Sequence, residues 1–157
     1  MKKILLTICS MALLTGVGCK NKSHQSASDV NSSTLDSIPN STFEELDKKV
    51  GDKVFFAYDN SELSDSAKTI LDRQVEFMKE KSHLKFVIEG FCDKRGTVEY
   101  NLALGERRAN SVKKYLVNHG INPDRLIVIS FGKERPAVIG DTEEAYRQNR
   151  RAVTVIR

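Results

Sequence analysis

The 157-residue chain holds only three cysteines and three histidines, and that scarcity removes most covalent and metal chemistry. Cys9 lies in the N-terminal apolar stretch, which leaves Cys19 and Cys92 and no framework of disulfides. A thiol nucleophile at Cys92 would need a histidine base. His83 and His119 are the only choices in the folded part, and neither sits in a catalytic motif. There is no G-x-S-x-G, no H-E-x-x-H and no phosphate-binding loop. The carboxylates Glu143 and Glu144 are adjacent, which suits the start of a helix better than glycosidase geometry. Neither a metal nor a cofactor signature is present, and the chain reads as a non-enzyme. Strong charge is missing too: the net +4 includes Lys2 and Lys3, so a processed chain carries +2, too balanced to argue for nucleic acid as a partner.

Long apolar runs are absent as well. Ile4 to Leu14 is shorter than the roughly 20 residues a membrane-crossing helix needs. Preceded by Lys2 and Lys3 and followed by Thr15-Gly16-Val17-Gly18 and Cys19, it has the basic, apolar and small-residue order of an export signal. A cysteine directly after the small residues resembles the bacterial lipoprotein signal, which implies lipidation at Cys19 as the first mature residue. Gly16 departs from that pattern, where leucine is commonest. The alternative is an ordinary exported protein with a free N-terminal cysteine. From Lys20 to about Thr42 the chain carries seven serines and scarcely an apolar residue, the composition of a disordered tether. The expected division is a signal over 1–18, a lipidated N-terminus and tether over 19–45, and one folded domain over 46–157.

Within that domain, "KVFFAY" (53–58) reads as a strand and Ser64 or Asp65 as the cap of a helix. Ala67, Ile70, Leu71, Gln74 and Met78 keep helical spacing with one polar lapse. "LKFVIEGF" is a second strand, with Phe86, Ile88, Gly90 and Cys92 on one face. Thr97 caps a long helix to about His119 that Gly120 closes. "RLIVISFG" is a third strand, Glu143 to Asn149 a short helix, and "RRAVTVI" the last strand. The order βαβαβ(α)β predicts an α/β (α+β) two-layer sandwich, a mixed sheet with helices packed against it.

The stretch "GFCDKRGTVEYNLALGERRANSVKKYL" is the least ordinary. Asp93 follows a strand end, and a basic helix carries Arg107 and Arg108. A helical wheel with Leu102, Gly105, Ala109, Val112 and Leu116 as the buried stripe points Arg107 into solvent and puts Arg108 at the stripe's boundary. An extended loop from Asp93 to Val98 projects about 16–18 Å, and the helix from Val98 to Arg108 returns about 15 Å. Arg108 then arrives level with Asp93, and the two would flank a pocket for a ligand bearing both ammonium and carboxylate. Spacing alone leaves two other readings open: Asp93 as a turn-stabilising acid, or the two residues as a surface ion pair worth little.

"EGFCDKRGTVEYNLALGERRANSVKKYLVNHG", "SFGKERPAVIG" and "AYRQNRRAV", in that order, resemble the OmpA-like domain of peptidoglycan-associated lipoproteins, the family of the Tol–Pal system. The resemblance implies non-covalent binding of the diaminopimelate-containing stem peptide of peptidoglycan, with Asp93 accepting the side-chain ammonium and Arg108 holding its carboxylate. It also implies Asn101 on the pocket wall, Asp59 in the loop after the first strand, and Arg150 near the ligand. For these three the residues alone equally allow a bond within the helix, a turn, and a brace at the sheet edge. This chain has Phe91 and Cys92 where many members carry histidine and a small residue, and Ala57 where an aspartate is common. The expected partners are peptidoglycan and TolB with other Tol–Pal components. The expected place is the outer membrane, held through Cys19 and favoured by Lys20 after the cysteine, with the domain in the periplasm. The alternative is a wall anchor for another envelope machine, such as a flagellar stator or a porin.

Overall fold

The structure is a computed structural model and describes residues 38–157. The signal, Cys19 and most of the expected tether lie outside the described residues. Helical order begins ahead of the boundary expected at 46. Helix α1 spans Asn40–Glu44 and widens into a π-helical stretch, Glu45–Val50. The reason is apolar content: Leu46 is buried, and Ile38, Phe43 and Val50 pack against the core.

The remaining elements follow the expected order: β1 (Lys53–Phe55), α2 (Asp65–Glu80), β2 (Phe86–Phe91), α3 (Val98–Asn118), β3 (Leu126–Gly132), α4 (Glu143–Asn149) and β4 (Arg151–Ile156). They form a mixed sheet of order β1-β4-β2-β3, in which only β2 and β3 run parallel. Ser64 caps α2 by accepting from the amide of Ala67, and Thr97 caps α3 by accepting from the amide of Tyr100. Each side chain satisfies an amide that the helix leaves without a partner.

The core lies between α2, α3 and one face of the sheet, with Leu71, Met78, Phe86, Ile88, Val112 and Leu116 wholly buried. Gln74, the polar lapse in α2, is buried among them for a reason. Its amide donates to the carbonyl of Gly51 at 2.7 Å and accepts from the Thr154 hydroxyl at 2.9 Å, so both polar ends are satisfied.

Strand β1 is shorter than the expected 53–58. Beyond Phe56, whose amide still bonds Arg150, the carbonyls of Ala57 and Asn60 turn to Arg108 instead of a neighbouring strand.

The buried face of α3 is also rotated from the expected stripe. Leu104 is buried whereas Leu102 is 39% exposed, because the loop after β1 covers the flank carrying Asn101, Leu104 and Arg108. Arg108 is therefore fully buried and not at a boundary, while Arg107 is exposed as expected.

A candidate binding site at the end of strand β2

Two glycines set where α3 crosses the sheet. A Cβ on Gly90 would lie 1.9 Å from the carbonyl oxygen of Gly105, so helix and strand touch backbone to backbone. That closeness brings the first half of α3 over the end of β2. There Cys92 donates its amide to Gly132 at 2.7 Å, and the chain leaves the sheet at Asp93. A turn through Gly96, at φ +93, returns it to Thr97. Glycine takes that left-handed conformation without the steric cost other residues meet.

The result is a cavity of about 250 Å³ whose walls include Asp59, Asp93, Arg95, Tyr100, Asn101 and Arg108. Four of the five residues expected to act together thus share one space. The fifth, Arg150, lies behind Asp93. Buried itself, it donates to the carbonyl of Phe56 at 3.1 Å and to Asp93 Oδ2 at 3.3 Å, and pairs with Glu143 at 2.8 Å. Wider hollows exist, including one of about 450 Å³ along α2 lined by Lys49, Asp72 and Glu76. Those side chains are exposed, and screened, mobile charges fix no ligand in place.

Asp93 is buried yet ionised. Its Oδ1 accepts from the backbone amide and Nε of Arg95, both at 3.1 Å, and its Oδ2 accepts from the terminal nitrogen Nη2 of Arg95 at 2.6 Å. Burial would raise its pKa, but the hydrogen bonds from Arg95 and Arg150 outweigh burial and hold the carboxyl below its ordinary value.

Arg108 has the opposite problem. Its Nε donates to Asn60 at 2.9 Å, Nη1 to Phe91 at 2.8 Å and Nη2 to Ala57 at 3.1 Å, all backbone carbonyls. Among the described residues it makes no ion pair, and burial pulls its pKa down. It remains charged, because a guanidinium does not deprotonate in proteins. Three of its five N–H groups are committed to these carbonyls, and the guanidinium is within hydrogen-bond reach of the Cys92 thiol. Its guanidinium also lies 5.3 Å from the ring of Phe56, a favourable cation–π distance.

The amide nitrogen of Asn101 donates to the carbonyls of Arg95 and Thr97 at 2.7 and 2.9 Å, so this side chain ties the turn to the helix as well as lining the cavity. Asp59 sits at φ 49 and accepts the hydroxyl of Tyr100. Cys92 is buried, donates weakly to the carbonyl of Asn101 at 3.3 Å, and has its thiol pushed up by burial.

Sequence reasoning missed Arg95. Its signal was present, since a residue two places beyond an acid at a glycine turn is positioned to fold back on that acid. Its aromatic neighbours were not legible: the guanidinium lies 4.0 Å from the ring of Tyr58 and 4.4 Å from that of Tyr146, residues distant in sequence. Glu143, read only as a helix start, reaches Arg95 at 3.6 Å as well as Arg150.

The chain has relatives among known proteins. The OmpA family matches residues 55–150. A peptidoglycan-associated lipoprotein of Mesorhizobium japonicum is 37% identical over 150 residues, which cover 95% of this chain and 89% of that protein. One from Rhizobium meliloti is 45% identical over 107 residues, 68% of this chain and 61% of the relative. The crystal structure of the peptidoglycan-associated lipoprotein from Burkholderia pseudomallei superposes with a TM-score of 0.66 at 35% identity, covering 68% of this chain and 90% of that one.

Proposed function

This chain belongs to the OmpA family, among the peptidoglycan-associated lipoproteins, and from that premise we propose that it binds the diaminopimelate-containing stem peptide of peptidoglycan without covalent chemistry, tethering the outer membrane to the wall. One observation carries the reading. Arg108 is a fully buried guanidinium bonded to three neutral carbonyls with no ion pair among the described residues, and it lines the same cavity as the ionised, buried Asp93. A buried charge without a counter-ion is costly, and a ligand carboxylate would relieve that cost. A neighbouring acid suits an ammonium, and the side-chain end of diaminopimelate carries both groups on one carbon.

In this reading Arg108 offers its remaining N–H groups to the carboxylate, and Asp93 takes the ammonium. Asn101 and Asp59 shape the wall, and Arg150 holds Asp93 from behind. Nothing is transferred or cleaved. The lipid on Cys19 holds the other end of the chain in the outer membrane, at about 0.8 kcal/mol per buried CH₂. Wall contacts that are weak singly gain from the high local concentration of both partners. The protein then serves the Tol–Pal system in envelope integrity and cell division, and TolB competes with the wall for an overlapping surface.

Titration calorimetry of the purified protein tests the reading. A diaminopimelate stem peptide should bind, and one with lysine, lacking the distal carboxylate, should bind about 10- to 150-fold more weakly, the value of one charge-assisted hydrogen bond. Equal affinities, or no heat with either peptide, would overturn it.

A further inference from the structure

Both oxygens of Asp93 are already engaged by arginines of the chain itself. Arg95 contributes three donors and Arg150 one, which takes up the roughly four acceptor sites of a carboxylate. An ammonium cannot reach Asp93 unless one guanidinium yields. Arg150 is 5% exposed and further fixed by Phe56 and Glu143, so it is framework. The side chain of Arg95 is 35% exposed and lies against the exposed ring of Tyr58 and the half-buried ring of Tyr146. Such a side chain slides off a carboxylate without breaking the core. Its backbone amide stays on Oδ1 and keeps the turn.

Charge decides what displaces it. The charged groups that line the cavity or bond to this network are Asp59, Asp93 and Glu143 against Arg95, Arg108 and Arg150. Lys94, outside the cavity, is paired with Asp141. Lys133 adds a further cation by bonding the Gly96 carbonyl on the cavity wall, and Arg107 lies over the ring of Tyr100, so the acids do not outnumber the bases. A lone ammonium would add an uncompensated positive charge and take from Arg95 its nearest anion, leaving it only Glu143 at 3.6 Å, which Arg150 already shares. A head group with ammonium and carboxylate on one carbon adds no net charge, and its carboxylate is a new partner for arginine.

We propose that Arg95 is the specificity-determining residue of this site: it competes with the ligand's ammonium for Asp93 and yields to an amino-acid head group but not to a simple amine. This rests on the stem-peptide reading above and extends it from where the ligand binds to how simple amines are refused. Arg108 attracts the carboxylate, whereas Arg95 penalises its absence.

The test compares wild type, Arg95→Ala, Arg95→Gln and Arg95→Lys by calorimetry with the diaminopimelate peptide and the lysine peptide, after circular dichroism shows each variant folded. The two neutral variants guard against one failing to fold. Both should bind the lysine peptide about fivefold more tightly than wild type does, the value of a partly exposed ion pair no longer in competition. The diaminopimelate peptide should gain less, so the ratio of affinities falls. Arg95→Lys restores the positive charge and should return the ratio toward wild type. In wild type alone, diaminopimelate peptide should also shift the ring-proton resonances of Tyr146, which lies outside the cavity lining, as the guanidinium leaves it. An unchanged ratio in the neutral variants, or equal weakening of both peptides, would make Arg95 a structural brace and overturn the proposal while the stem-peptide reading stands. Wild type that binds neither peptide would overturn both.

Discussion

The guanidinium of Arg108 donates to the carbonyl of Phe91 at 2.8 Å, so helix α3 is fastened to strand β2 two residues before Asp93. One side chain therefore both positions the site and faces its cavity. Arg108→Ala should lower stability, because the buried Phe91 carbonyl alone loses a partner worth about 1–3 kcal/mol. Arg108→Lys is the better probe of binding. It keeps the charge but not the fork, and should weaken the diaminopimelate peptide by about tenfold or more. Arg107→Ala, an exposed change, should stay within about 0.5 kcal/mol of wild type and bind normally. Denaturant melts and calorimetry on the three variants separate these effects, and equal losses at Arg107 and Arg108 would mean a diffuse basic surface.

Gly90→Ala should be among the most damaging single-methyl changes in the chain. The added Cβ meets the Gly105 carbonyl oxygen at 1.9 Å, and backbone on both sides leaves no flexible atom to move. Helix α3 must lift from the sheet, at a cost of about 1–3 kcal/mol or more. Since α3 carries Asn101 and Arg108, stem-peptide binding should fall with stability. A thermal melt unchanged from wild type would show that helix and strand are not in contact as described.

Much of this architecture was legible from the sequence, and the misses have physical causes. Alternation in "LKFVIEGF" and the caps Ser64 and Thr97 are local signals, and they located both helix starts and, with a start two residues early, the strand Phe86–Phe91. The wheel of α3 erred because it counted only apolar residues. Arg108 and Asn101 are buried through hydrogen bonds to the turn and the loop after β1, and hydrophobicity has no measure of that. Gln74 is the same lesson in α2. Chain length brought Asp93 and Arg108 level, but spacing alone left a turn acid or a surface ion pair open, and it was the resemblance to the family that singled the two out. Arg95 was overlooked because its role depends on Tyr58, Tyr146 and Glu143, brought together only by the fold.

Acid should loosen the protein through Asp93. Its folded-state pKa lies below the unfolded value of about 3.9. Its contribution to stability is therefore full above pH ~4 and is lost as pH falls through the folded value. Asp93→Asn removes that titration and leaves Arg95 and Arg150 only Glu143 to share as an anion. The variant should be less stable at pH 7, and its melting temperature should vary less than that of wild type as pH falls below ~4. Parallel wild-type and variant curves over that range would show that Asp93 is not the group titrating.

Cys92 offers an independent check on the floor of the cavity. Its side chain is 3% exposed, its thiol donates to the carbonyl of Asn101, and burial raises its pKa. Alkylation requires the thiolate and access to it, and both are withheld in the folded state. In a background with both Cys9→Ala and Cys19→Ala, iodoacetamide at pH 8 should label the native protein far more slowly than the urea-unfolded chain. The rate should keep rising with pH beyond the point at which an exposed thiol has levelled off. Cys92→Ala removes one buried sulfur and a weak hydrogen bond, so it should cost on the order of 1 kcal/mol. The turn at Asp93 keeps its other bonds, and stem-peptide affinity should fall by no more than about fivefold, the worth of one weak hydrogen bond beside the site. Rapid labelling of the folded protein at neutral pH would put the thiol in solvent. Loss of binding in a variant that melts like wild type would make it part of the contact surface.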